Sequence, residues 1–466
     1  MGSEAEIRMS APAEVYRRRR ARLARRLARP LVVFSGHAQP RNYAANTFPF
    51  RPGSHFTYYG GPPIENAALV IEPGSDGSSG CGLYRPPTTP DDVVWMGPGF
   101  SDAALAAASG VPQGAIRDSD GLGAAVGGRG AAAVLPLCLE TRAWAAKLGL
   151  VEISVEEKLA IIDQRLYKDE HELAAMRVAA EIGIEAHRDA LLVVQAGLRE
   201  ADIVAEYQAV AAANQSQMSF NPIATVRGEI LHCLGYGNML EDGDLFLLDA
   251  GVEEPTGYAT DITRVVPVSG QWTAIQRHLY NTVERANRQA CAACVSGARF
   301  RDVHDLAARV ICEGLVAAEL LTGRADELAA RKAHTLFFTH GLGHLIGLDV
   351  HDMEDFGDLA GYAPGRERRP AFGDKFLRLD RDLAPGLCLT IEPGIYLVPG
   401  IWQLDAMVAP LRDVVNRPKI DALLRDGFGG IRVEHTLCVT EGEPEILTAA
   451  LPTAADEVAA LVGGAT

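Results

Sequence analysis

Four acidic residues of this 466-residue chain sit where acids are costly. Asp249 ends the apolar run LFLLD, Asp261 opens DITRVVPV, and Glu392 and Glu434 are embedded in GLCLTIEPGIYL and GGIRVEHTLCVT. Desolvation penalises a buried charge, so such acids are neutralised, paired or bound to a metal. One of them alone would carry little weight, because an edge strand holds a solvated glutamate easily; four form a pattern. The stretch THGLGHLIGLDVHD, residues 339 to 352, adds histidines. His340 and His344 are four apart, but Gly341, Gly343 and Gly347 argue against a continuous helix, so the run reads as backbone brought close to a site. With His344 the set becomes one imidazole and four carboxylates. That oxygen-dominated shell suits manganese or cobalt and differs from a cysteine-rich structural zinc site. Four carboxylates outweigh one divalent ion, whereas two ions balance them, and a two-metal site can activate a water and clamp a tetrahedral transition state.

These residues must be positioned by two kinds of element. Residues 30 to 155 alternate short apolar strands (PLVVFSG, AALVIEP, AAAVLPL) with Gly/Pro/Ser loops and helical patches, an α/β domain. Asp169 is a helix N-cap with Glu172 three residues on, opening a long helix, and the domains are expected to be 1–160 and 161–466. The second half alternates helices near 170–195, 200–214, 272–296 and 301–321 with the acid-bearing strands, whose pairing hints at an internal duplication. The basic run YRRRRARLARRLARP reads as the first helix of the small domain with a solvated face, stopped by Pro30.

Composition bounds the partners. A formal charge of −16 argues against nucleic acid or an anionic membrane. No run reaches the ~18 apolar residues of a membrane span. No apolar signal-peptide core follows the start. Eight sparse cysteines fit reduced thiols in a cytoplasm, and Cys291 and Cys294 read as buried helix thiols.

The motifs LLDAG…DITRVVPVSG, HGLGHLIGLDVHD, LTIEPGIYL and GIRVEHTLCVT, in this order and approximate spacing, resemble the M24 metallopeptidases of the pita-bread fold, in their Xaa-Pro-specific branch of aminopeptidase P and prolidase. FPFRPGSHFTYYGGPPIENAALVIEPG resembles the aminopeptidase P N-terminal domain, so the resemblance covers nearly the whole chain. It implies an α/β (α+β) architecture of that N-terminal domain and a pita-bread catalytic domain. It also implies two divalent ions, manganese first with cobalt or zinc as alternatives. Asp249 would chelate one ion, Asp261 and Glu434 would bridge both, and His344 and Glu392 would complete the second. Glu392 would shuttle a proton to the departing imino nitrogen, and His232 and His351 would be substrate-binding histidines, the latter aiding the developing oxyanion. His340 matches a family histidine and reads equally as a catalytic or a packed residue. Arg432 would be an outer partner of the site. Trp95 matches a region where the aminopeptidase branch borrows an aromatic from a neighbouring subunit, and reads equally as a core anchor of the small domain. The expected partners are a peptide with proline at its second position and further copies of the chain, as dimer or tetramer.

The chain also departs from the pattern. The turn between Asp249 and Asp261 is one residue longer than usual, the loop FNPIATVRGEILH is shorter, Phe220 stands where a tyrosine is common, and His435 stands where an acid is usual, next to Glu434 and its metal. Arg378 falls where prolidases place an arginine for a dipeptide's carboxylate, which keeps Xaa-Pro dipeptidase as the alternative to aminopeptidase P. Two further rivals are a non-catalytic pita-bread binding protein and a methionine aminopeptidase.

Overall fold

The computed structural model describes residues 7–463. The chain forms two compact units that divide at Arg165/Leu166. The helix Val155–Arg165 ends at that division, so a boundary at 160/161 would cut it.

The N-terminal unit is built on a six-stranded mixed sheet. Across it run Ile116–Asp118, Cys81–Arg85, Ala68–Ile71, Leu31–Phe34, Ala132–Val134 and Val151–Glu152. Leu31–Phe34 is buried throughout and pairs antiparallel with Ala68–Ile71 and parallel with Ala132–Val134, as the near-continuous apolar runs require of central strands. The opening helix, Ala13–Ala24, has the expected solvated face, with Glu14, Arg18 and Arg22 exposed, but two of its arginines depart from it. Arg19 and Arg20 fall in the buried stripe with Val15, Tyr16 and Leu23. Arg20 gives Nε to Gly77 O at 2.8 Å and Nη1 to Tyr59 O and Ser109 O at 2.8 and 2.9 Å. A guanidinium with five donors can satisfy several loop carbonyls at once; the charge count along the run could not reveal that. Trp95 lies on the short helix Pro90–Met96, which buries no residue, and is 82% exposed. The core-anchor reading of Trp95 is therefore overturned.

The C-terminal unit carries the long helices Glu170–Leu192, Glu200–Ala213, Ala274–Ala293 and Phe300–Ala317. Asp169 and Glu172 form the expected reciprocal cap. Strand Leu245–Ala250 lies between Ile223–Thr225 and Ile262–Pro267, both antiparallel to it. Two later segments pair twice. Cys388–Ile391 pairs with His435–Cys438, and Gly394–Tyr396 with Gly430–Arg432. The ladder is interrupted between these pairings, and the interruption contains Glu392 on one segment and Glu434 on the other. Asp261 likewise precedes its strand, so of the four acids only Asp249 lies inside a strand. All eight cysteines are free; Cys291 and Cys294 are buried, and burial pushes the Cys291 thiol up to about 12. Among the described residues, no helix is long and apolar enough to cross a membrane.

Candidate active site

The histidine run has no helix between 339 and 352, and its glycines are dictated by close approach. A Cβ on Gly343 would stand 1.9 Å from Thr390 O. This lets the run lie along strand Cys388–Ile391, with Thr390 N donating to His344 O at 2.9 Å and Glu392 N to Leu342 O at 2.8 Å. His344 Nδ1 donates to Leu345 O at 3.0 Å, leaving Nε2 as the nitrogen with a lone pair. Nε2 stands 3.5 Å from Asp261 Oδ2 and 3.8 Å from Glu392 Oε1. Asp261, His344 and Glu434 each offer a ligand atom within 4.8 Å of the others.

Asp249, Asp261, His344, Glu392 and Glu434, almost two hundred residues apart in sequence, line one cavity of about 900 Å3. His232, His340, His351, Arg378 and Arg432 line it too, as does Phe220. Trp95 belongs to the other unit and is not part of this lining. His435 is not either: its Nδ1 meets Thr448 Oγ1 at 2.7 Å, so the departure beside Glu434 lies outside this lining.

The electrostatics fit a cation site. Burial raises the carboxyls of Asp261 and Glu434 well above their usual range, and their acidic neighbours add to it. Burial likewise pushes Glu392 up to about 7, against the pull of His344 and Arg432. Asp261 Oδ1 is buried without a hydrogen-bond partner, an orphan that a divalent ion would satisfy. The donor set, rich in carboxylate oxygen with one imidazole, suits such ions.

A surrounding layer holds these groups, and most of it was not evident from sequence. Arg432 donates to Asp249, to Thr263 Oγ1 at 3.0 Å and to Tyr396 Oη at 2.8 Å. Thr263 in turn donates to Glu434 Oε2 at 2.6 Å. Thr263 is directly opposite Asp249 in the ladder, a relation that needs the register and not the sequence alone. Tyr396 Oη donates a hydrogen bond to His340 Nε2 at 2.8 Å, while His340 Nδ1 donates to Gly341 O at 2.7 Å. Burial lowers His340 to about 3, so the ring is neutral.

Asn287, buried on helix Ala274–Ala293, donates its amide to Ile391 O at 2.7 Å and to Val433 O at 2.9 Å. These are the carbonyls just before Glu392 and Glu434, so one side chain bridges the strand interruption. His351 stacks on His344 with centroids 4.0 Å apart, and its Nδ1 lies 3.1 Å from Glu354 Oε2, which also accepts from Arg378 Nη1 at 2.6 Å. The His-x-x-Glu spacing was the one available signal for Glu354. Asp352, the residue after His351, makes a buried ion pair with Lys168 at 2.8 Å.

The comparisons agree with this geometry. Residues 174–441 match the model of metallopeptidase family M24, and residues 16–119 match that of the aminopeptidase P N-terminal domain. The chain is 30% identical over 433 residues to the probable Xaa-Pro aminopeptidase pepP of Neosartorya fischeri, covering 88% of this chain and 87% of that protein. It is 33% identical over 314 residues to the Xaa-Pro dipeptidase of Homo sapiens, covering 65% of this chain and 61% of that protein. The chain therefore spans about three-fifths of the dipeptidase's length. Among solved structures, aminopeptidase PepP of Pseudomonas aeruginosa superposes with a TM-score of 0.77 at 28% identity, over 97% of this chain and 98% of that one. Zinc-substituted Escherichia coli aminopeptidase P in complex with product gives 0.78 at 27%, over 99% and 100%. With buried acids and an imidazole converging on one cavity, and the family model matching more than half of the sequence, the chain belongs to metallopeptidase family M24 and is a hydrolase.

Proposed function

We propose that the chain hydrolyses the bond between the first residue of a peptide and a following proline, as an Xaa-Pro aminopeptidase of the aminopeptidase P type. The observation that carries this reading is the convergence of Asp249, Asp261, His344, Glu392 and Glu434 on one cavity in a chain with both M24 and aminopeptidase P N-terminal matches. These five are the proposed ligands of two divalent ions, manganese first by the oxygen-rich donor set. When bound, the ions supply an acidified nucleophilic water and polarise the scissile carbonyl.

The protein's own residues do the rest. Glu392, which lines the cavity with Oε1 3.8 Å from His344 Nε2, is placed to accept a proton at one stage and pass it to the proline nitrogen at the next. His351 presents Nε2 to the cavity because Nδ1 is committed to Glu354; in the neutral ring that nitrogen accepts, and as the imidazolium, which the Glu354 carboxylate favours, it would donate to the developing oxyanion. His232, exposed at the cavity wall, is placed to bind the peptide. Arg432 fixes the Asp249 carboxylate and, through Tyr396, the neutral His340.

A second reading, Xaa-Pro dipeptidase, is favoured by Arg378, which lines the cavity and could pair with a dipeptide's carboxylate. The cavity, at about 900 Å3, lies near the top of the roughly 300–1,000 Å3 range of small-molecule sites, and room beyond a dipeptide supports the aminopeptidase. A cytoplasmic setting is supported by the free cysteines. A homo-oligomer is supported by the exposed apolar helix around Trp95.

The test is hydrolysis of Gly-Pro and of a longer Xaa-Pro peptide by manganese-loaded protein, alongside Glu392→Gln. The variant is expected to keep its fold and lose at least about a hundredfold in kcat. Near-normal turnover by the variant would overturn the role given to Glu392, and a wild-type protein inert on both peptides would overturn the function.

A further inference from the structure

The oxygen shared by His351 and Arg378 has a chemical consequence. Glu354 Oε2 lies 3.1 Å from His351 Nδ1 and accepts from Arg378 Nη1 at 2.6 Å. A carboxylate has no proton to give, so His351 must carry its own on Nδ1 and turn Nε2 toward the cavity. The backbone is built to make this contact. Met353, buried, is held at a φ of 60°, a left-handed conformation unfavourable for a side chain of its kind, and starts the single turn Glu354–Phe356 that folds Glu354 back toward His351. Burial works against the charge of Glu354, but the hydrogen bond from His351 and the nearby charge of Arg378 outweigh it and hold the carboxyl down at about 2.

We propose that Glu354 is a positioning residue that fixes the tautomer and orientation of His351, and that it reports to His351 whether Arg378 is engaged by a peptide carboxylate. The inference rests on the Xaa-Pro peptidase reading for the role of His351. A guanidinium has five N–H groups in a planar fork and can serve two carboxylates. When the C-terminal carboxylate of a dipeptide reaches Arg378, a second negative charge competes with Glu354 for the same cation, and the Glu354 oxygen falls more fully to His351. Recognition of the substrate's far end then tightens the group that acts at the scissile carbonyl, through one shared atom.

Steady-state kinetics on Gly-Pro and on Gly-Pro-amide, which offers Arg378 no carboxylate, test this in manganese-loaded wild type, Glu354→Ala and Glu354→Gln. On the amide, Glu354→Ala should lower kcat about ten- to a hundredfold with KM within about twofold, the loss of a charge-assisted hydrogen bond. Glu354→Gln keeps an accepting oxygen and should fall less. On Gly-Pro, the same Gln variant releases Arg378 and should bind with a lower KM than wild type. A kcat for Glu354→Ala within about twofold of wild type, or a loss matched by lost metal content, overturns the proposal. A readout independent of turnover is the imidazole nitrogen spectrum of histidine-labelled protein. His351 should be protonated at Nδ1 in wild type and lose that preference in Glu354→Ala; an unchanged spectrum overturns the proposal. If the tautomer changes as expected while wild type cleaves neither substrate, the peptidase reading fails and the positioning role of Glu354 stands.

Discussion

Replacing Asn287 by leucine should damage the site from a helix whose side chains form none of it. The asparagine amide supplies the donors at 2.7 and 2.9 Å for the carbonyls of Ile391 and Val433, and the residue is 2% exposed. Leucine has a similar shape and no donor. Both carbonyls would then be buried without these partners, at about 1–3 kcal/mol each, so metal-free Asn287→Leu should be less stable by about 2–6 kcal/mol. The larger effect is on function. Glu392 and Glu434 each follow one of those carbonyls, so their separation is set by the bridge, and loss of such outer support typically weakens metal binding or activity by about ten- to a hundredfold. Urea denaturation of chelator-treated protein measures the first quantity, and calorimetric titration with manganese the second. If the variant binds manganese within about threefold of wild type and unfolds at the same urea midpoint, Asn287 does not set the geometry of the acids.

Three further outcomes are expected. In metal-free protein Glu392 titrates near 7 instead of its ordinary 4.5. A raised carboxyl favours the fold fully below its ordinary value, and that contribution is lost as pH rises through the folded one, so stability should fall on the order of 3 kcal/mol from pH 4.5 upward past 7; urea midpoints measured against pH in chelator should show it, and Glu392→Gln should flatten the slope. Arg20→Met, which strands the carbonyls of Tyr59, Gly77 and Ser109, should cost the N-terminal unit about 3–5 kcal/mol in thermal or urea unfolding, with an unchanged midpoint as the contrary result. Arg378→Ala should lower kcat/KM on Gly-Pro at least about tenfold more than on a longer Xaa-Pro peptide; an equal effect on both would remove the case for dipeptide recognition.

The parts of the site legible in sequence are those whose cost shows locally. An acid amid β-branched and apolar neighbours is conspicuous wherever it sits, and Asp249, Asp261, Glu392 and Glu434 were visible for that reason. Asp169 with Glu172 announced a helix start because a cap is a contact across three residues. Thr263, Tyr396 and Asn287 are ordinary residues in ordinary elements, and only a register or a helix-to-strand contact gives them a role. Arg20 shows the opposite failure: its type suggested solvent, while the loops that need its donors are up to 89 residues away. The expected strands lie in the expected runs, but each of the two later runs is broken into two strands, and Asp261, Glu392 and Glu434 fall just outside a ladder, because alternation marks where a strand runs better than where its ladder stops.

That placement has a mechanical meaning. Asp261, Glu392 and Glu434 lie outside the strands yet are tied at their backbones, Asp261 N to Thr436 Oγ1, Glu392 N to Leu342 O and Glu434 N to Thr263 O, whereas Asp249 lies inside a ladder. Each acid is anchored by a different segment of the chain, so the cage of carboxylates is shaped by the fold before any cation arrives.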